Sequence, residues 1–213
     1  MSCRIDELLK VMLPTGILAD IGCDHGKAGV AAIKNGLARH VIFADISAPS
    51  LEKAKCLCKK EKIENASFVC CDGCDRIEYA DTLMIAGMGS KEIVSILSKC
   101  KFVPKQLVLQ PMRNQKELRE YLSGSRYIEI DKTVFDKKFY TVLRCSGGCE
   151  NANEMTLTFG KTDLKEKSDD FKRFLEKEIN KTASLLEKGG ANAKLQRYSE
   201  LLRITRGKYE RNT

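Results

Sequence analysis

A chain of 213 residues has room for one α/β domain of ordinary size and a small extension. Hydrophobic residues make up 43% of it, enough for a core, and no apolar run approaches the length of a membrane-spanning helix. The formal charge of +8 favours a polyanionic partner. Residues 161–213, with 14 basic and 9 acidic side chains against 23 and 20 before them, carry more than half of that excess.

Residues 1–10 hold charges of both signs and no apolar signal core, so a cytoplasmic location without membrane association is the expectation. The ten cysteines are expected to be reduced thiols, because disulfide scaffolds are typically short and secreted. Cys71 and Cys74 form a C-x-x-C, and Cys56 and Cys58 lie upstream within a helical pattern. No second C-x-x-C or histidine pair completes a tetrahedral set, so no metal is expected and small buried side chains are the simpler reading.

The first element in chain order is an apolar strand at 17–21 that breaks into Gly22, Cys23, Asp24, His25 and Gly26. A helix follows over 27–36, then a buried strand at 41–45 ending on Asp45. Residues 47–62 read as a helix capped by Ser47 with Pro49 in its first turn. A third strand, 66–71, runs into Asp72 and Gly73. A fourth, 82–86, runs into Gly87, Met88 and Gly89, after which Ser90 is expected to cap a helix to about residue 98. A fifth strand, 106–110, closes at Pro111 and precedes a helix at 114–122.

The alternation then stops. Two β-rich runs, 126–135 and 139–145, flank a hairpin signal at 136–138. Alternating strands and helices imply a parallel sheet with right-handed crossovers, and the closing hairpin adds an antiparallel strand. The expected fold is therefore α/β and Rossmann-like: a seven-stranded, mostly parallel sheet with a terminal antiparallel hairpin, occupying residues 1–148. Residues 149–213 are expected to add a short strand at 155–159 and an antiparallel helical hairpin reversing at Gly189-Gly190. Its apolar stripes are Phe171, Leu175, Ile179, Thr182 and Leu186 on one helix and Leu195, Tyr198, Leu202, Thr205 and Tyr209 on the other. The outer faces are either solvated Lys/Glu surface or a nucleic-acid surface.

In an open parallel sheet, ligands bind beyond the carboxyl ends of the strands. Four such ends carry glycine or polar residues, at Gly22–His25, Asp45, Asp72-Gly73 and Gly87–Gly89. Asp45 stands where an acid meets both ribose hydroxyls of an adenosine, in dinucleotide sites as well as others. The glycine spacing departs from G-x-G-x-x-G and looks more like the first motif of methyltransferases that use S-adenosylmethionine (SAM). SAM has no phosphate, and its positive groups suit nearby acids such as Asp20, Asp24 and Asp72. The expected cofactor contacts are Gly22, Cys23, Asp24, Asp45, Ile46, Cys71, Asp72, Gly73, Ala86 and Gly87. The expected catalytic set is Asp24, His25, Gly87, Met88, Gly89 and Gln110. Within it, His25 is a hydrogen-bonding fixture or a general base, and Gln110 shapes the pocket or satisfies local backbone. Lys27 meets a carboxylate or phosphate, or is solvated. The Asn/Asp-Pro-Pro-aromatic clamp of many amino-methylating enzymes is absent at 87–89, which turns attention to a ring nitrogen with a free lone pair.

At these residues the chain resembles the TrmK family, bacterial tRNA adenine-N1-methyltransferases. The resemblance rests on A-D-I-G-C-D-H-G at 19–26, I-A-G-M-G at 85–89, L-V-L-Q-P at 107–111, L-R-E-Y-L at 118–122 and F-Y-T-V-L at 139–143. It implies methyl transfer from SAM, with S-adenosylhomocysteine as product, to N1 of adenine 22 in tRNA, and a C-terminal helical hairpin. It also implies cofactor contacts at Asp24, Asp45 and Asp72, with Gly87 to Gly89 bordering the target base. The chain departs from the family pattern at Gly26-Lys27-Ala28, where Ala-Tyr-Leu-Pro is common, at Ser90 for Gly, and at Met112 for Asn. With no aromatic beside His25, Tyr140 or Phe139 would have to stack on the base. The rival readings are a SAM methyltransferase with another substrate and an inert RNA-binding module on this fold. A monomer or weak homodimer is expected.

Overall fold

The structure is a computed structural model and describes residues 3–186 and 192–206. Its sheet is assembled from β1 (Thr15–Ile21), β2 (Ala38–Asp45), β3 (Ala66–Cys70), β4 (Thr82–Met88), β5 (Gln106–Pro111), β6 (Arg126–Asp136) and β7 (Lys138–Gly147), in the order β3-β2-β1-β4-β5-β7-β6. β1 to β5 pair in parallel, and β7 enters antiparallel between β5 and β6. This is the expected Rossmann-like sheet. The chain leaves β1 for β2 on one side and returns to β4 on the other, so the strand order reverses beside β1. That reversal opens the crevice in which such sheets bind ligands.

Helices cover both faces because strands buried on both sides need apolar partners above and below. On one face α1 (Cys3–Val11), α2 (Lys27–Lys34) and α3 (Ala48–Lys60) bury Leu8, Val30, Leu51 and Ala54 against Leu18, Val41, Phe43, Met84 and Val108. On the other, α4 (Ser90–Lys99) and α5 (Gln115–Ser123) bury Ile93, Leu118 and Leu122 against Ile21, Leu83, Ile85, Leu107 and Leu109. Two expectations are corrected on this frame. α1 is an element that the chain-order reading did not assign. Ser90 is the first residue of α4 and not its cap: Gly89 takes that place and donates its N–H to Glu92 (2.8 Å). The Ser90 hydroxyl instead donates to the Arg113 carbonyl (2.7 Å), tying the start of α4 to the loop after β5.

The expected strand at 155–159 is a helix, α6 (Glu154–Phe159), followed by α7 (Lys161–Glu166). Thr156 and Thr158 give the segment a strand-like composition, but a capping box overrides it. Asn153 Oδ1 accepts from Thr156 N–H, and Thr156 Oγ1 accepts from Asn153 N–H, both at 2.9 Å. The chain continues into α8 (Asp169–Leu186) and α9 (Asn192–Arg206). These pack through Phe171, Leu175, Tyr198, Leu201 and Leu202 together with Phe159 of α6. Leu201 joins the expected stripe. Tyr209, the Gly189-Gly190 reversal and the side chains of Leu186 and Thr205 lie outside the described residues.

The extension is fastened to the sheet along its edge. The outward N–H groups of Ile128, Asp131, Thr133 and Phe135 on β6 donate to Glu150, Thr162, Asp163 and Asp170. An edge strand left open is a template for pairing with another chain, and these side chains close it. Beneath them Arg119 of α5 makes a bidentate pair with Asp131 (2.6 and 2.8 Å) and donates to the Leu157 and Thr158 carbonyls of α6 (3.1 Å each). Phe139 and Phe174 extend the contact with an edge-to-face ring pair.

Candidate active site

β1 ends in a turn that only particular residues tolerate. Gly22 sits at φ +65°, and a Cβ there would fall 2.1 Å from the Met88 methyl group at the end of β4. Glycine at this point lets two strand ends approach beside the reversal in strand order. The Gly22 and Cys23 N–H groups both donate to the Ala44 carbonyl (2.8 and 3.1 Å), which pins the turn to β2. Asp45, one residue on, receives Asp24 N–H on one oxygen (3.0 Å) and Ser47 N–H on the other (2.9 Å). Asp24 follows at φ 47°, in the left-handed region that Asp reaches more readily than most residues.

Around this turn lies a cleft of about 730 Å³, a size suited to a small-molecule ligand. Gly22, Cys23, Asp24, Asp45, Ile46, Cys71, Asp72, Gly73, Ala86 and Gly87 all line it. These are the ten positions singled out for cofactor contact, and four separate strand ends contribute them. His25 and Met88 also line it, whereas Gly89 and Gln110 do not. Gly89 is buried at the start of α4. Gln110 is fully buried, its Nε2 donating to the Pro111 carbonyl (3.2 Å) and its Oε1 without a partner. Tyr140 packs beneath Arg4 of α1, and Phe139 packs on Phe135 and Phe174, so neither ring lines the cleft.

Charge in the cleft is graded by depth. Asp20, on β1, is buried and accepts a hydrogen bond from Gly29 N–H (2.9 Å). Burial pushes its carboxyl up to about 6 against that hydrogen bond, and the Asp45 carboxylate adds to the rise. Asp24 and His25 are exposed at the rim, 3.6 Å apart, which is too far for a hydrogen bond. Asp72 is exposed near Lys99 (3.7 Å).

Burial raises the thiols of Cys23, Cys71 and Cys74. Cys71 donates to the Gly73 carbonyl and Cys74 to that of Ile96, so the C-x-x-C thiols answer to separate backbone groups. Among the described residues no cluster of three or more metal-ligating side chains occurs, and no helix is long and apolar enough to cross a membrane.

The site also contains residues that the sequence reading missed. α1 contributes Arg4, Ile5 and Leu8, and α4 contributes Glu92, Ser95 and Ile96. The signal for α1 was present in Ile5, Leu8, Leu9 and Met12, an apolar face at helical spacing, all now buried.

A sequence model of the TrmK family, described as tRNA (adenine(22)-N(1))-methyltransferase, matches residues 18–206. The chain is 32% identical to the tRNA (adenine(22)-N(1))-methyltransferase of Bacillus subtilis over 160 residues, 71% of this chain and 67% of that protein. Across the curated relatives it matches, the alignments span between 59% and 67% of each relative's own length. The crystal structure of the B. subtilis m1A22 tRNA methyltransferase is 26% identical, with a TM-score of 0.79 over 96% of this chain and 98% of that one. Streptococcus pneumoniae Sp1610, a structure in complex with S-adenosyl-L-methionine, shares the fold at 22% identity, with a TM-score of 0.82 over 97% and 98% of the two chains. The match to the family over most of the chain, on a sheet whose strand ends meet in one cleft, places it: this chain belongs to the TrmK family of tRNA (adenine(22)-N(1))-methyltransferases.

Proposed function

We propose that this chain methylates N1 of adenine 22 in tRNA, drawing the methyl group from SAM bound in the cleft beside Gly22. The observation that carries this reading is the convergence of four strand ends, with Asp45, Asp72, Gly22 and Gly87 among the lining residues. The residues fit such a ligand. Gly87 stands at φ +80° with no protein atom within 4 Å of where a Cβ would point, so the backbone itself forms that wall. Asp45 has lone pairs left after its two backbone contacts to accept from ribose hydroxyls. Asp72 would accept from the adenine amino group, and the exposed apolar side chain of Ile46 would offer the adenine ring an apolar surface.

SAM supplies a methyl group activated by an adjoining positive sulfur. Asp20 and Asp24 favour that positive end electrostatically, and the low polarity around buried Asp20 strengthens its share. N1 of neutral adenine already carries a free lone pair, so the chain's main task is to aim it. Met88 and Gly87 border the space where the base enters, and His25 stands exposed at the rim to orient it. The base must leave its stacked surroundings to reach that point. The positive excess of residues 161–213 attracts the phosphate backbone and makes binding salt-sensitive. Such a reaction belongs in the cytoplasm, with the chain acting as a monomer or weak homodimer.

The test is methyl incorporation from labelled SAM into an unmodified tRNA transcript and into one with guanine at nucleotide 22. Incorporation into the first alone is expected. Equal incorporation into both, or into neither, refutes the reading.

A further inference from the structure

The cleft is lined by five carboxylates, and its one guanidinium comes from α1. Arg4 stands in the first turn of α1 and lines the cleft. Its backbone N–H donates to Asp136 Oδ2 (3.2 Å), and the next turn is locked by Ile5 and Leu8, both buried in the core. The guanidinium lies 5.7 Å from the centroid of the Tyr140 ring and, among the described residues, has no carboxylate within ion-pair distance. A cation held at the wall of an acidic cleft without an ionic partner is placed for an anionic group of the ligand.

The ligand's orientation follows from the sheet. Asp45 and Asp72 sit beyond β2 and β3, on one side of β1. Arg4 packs on Tyr140 of β7, on the opposite side. With the nucleoside held at Asp45 and Asp72, the amino-acid end of SAM would extend toward α1. That end carries a carboxylate, which the acidic residues of the cleft repel. A guanidinium offers it two parallel N–H donors, whereas Lys27, exposed at the start of α2, offers a hydrated point charge.

We infer that Arg4 receives the carboxylate of the methyl donor's amino-acid moiety. The inference rests on the reading of the cleft as the SAM site, and it makes α1 part of the cofactor site in addition to its role in the core.

The experiment is calorimetric titration of the full chain, without tRNA, using SAM and decarboxylated SAM, which keeps the sulfonium and the amine but lacks the carboxylate. The variants are Arg4→Gln, Arg4→Lys and Lys27→Gln, with thermal melting as a control. Arg4→Gln leaves the backbone contact to Asp136 and the Ile5 and Leu8 anchors in place. Wild type is expected to prefer SAM. Arg4→Gln should lose roughly tenfold in affinity for SAM and little for the decarboxylated compound, with Arg4→Lys in between. Equal losses for both ligands, no loss, or a selective loss in Lys27→Gln instead would overturn the inference while leaving the SAM site standing. So would a drop in tRNA affinity in Arg4→Gln with its SAM preference intact. Failure of wild type to bind either compound would overturn the reading of the cleft itself.

Discussion

Asp45 already holds the N–H groups of Asp24 and Ser47, so its carboxylate shapes the turn as well as facing the cleft. Asp45→Ala removes both contacts. Hydrogen bonds to charged groups contribute about 1.5–3 kcal/mol each, so SAM affinity in calorimetry is expected to fall at least tenfold. Gly87→Ala separates two effects. With no protein atom near the new Cβ, its stability cost is the left-handed backbone alone, about 1–2 kcal/mol, and any larger loss in SAM affinity reports cleft volume.

Asp20 gives the pH dependence. Its folded-state carboxyl titrates near 6, above the ordinary carboxylate range, so its contribution to stability is full at low pH and fades as pH rises through about 6. SAM affinity should move the opposite way, rising across the same window as the acid ionises. Asp20→Asn is expected to flatten both profiles. At this scale the sequence is most legible where a strand ends, because an abrupt change from apolar to glycine and acid has few structural causes. That logic finds Asp45 and Gly22. It fails for Gln110, whose polar side chain at a strand end looks equally exposed in sequence but is fully buried.

Among the elements, the edge strand β6 carries the junction between the sheet and the extension. Arg119 and Asp131 are buried together, with side-chain exposures of 4% and 2%, so removing one leaves the other charge without its partner. Arg119→Ala is therefore expected to cost about 3–5 kcal/mol in denaturant unfolding. Deleting residues 161–213 would uncover the N–H groups of Asp131, Thr133 and Phe135, and the product should self-associate in sedimentation. β1 to β5 were readable because alternating apolar runs and amphipathic helices leave little freedom of topology. α6 was not, since its capping box competes with a β-branched composition and only hydrogen bonding decides. α1 is hard to read from sequence because it is only nine residues long, and charges at Arg4, Asp6, Glu7 and Lys10 on its outer face lower its mean hydropathy.

For the whole molecule, net charge and its placement bear on the proposed encounter with tRNA. Arg203 and Lys177 are exposed cations on α9 and α8. Replacing each with alanine should lower the slope of log affinity against log salt by about 1 per lost phosphate contact, with SAM binding unchanged. Surface variants serve better here than truncation, because the extension also seals the sheet edge.

The claim on which the rest depends is the identity of the methylated atom. Unmodified tRNA incubated with the chain and SAM, then digested and mapped by mass spectrometry, should yield 1-methyladenosine at nucleotide 22. Methylation of another nucleotide or another adenine atom, or no methylation by a chain that binds both SAM and tRNA, would contradict the account.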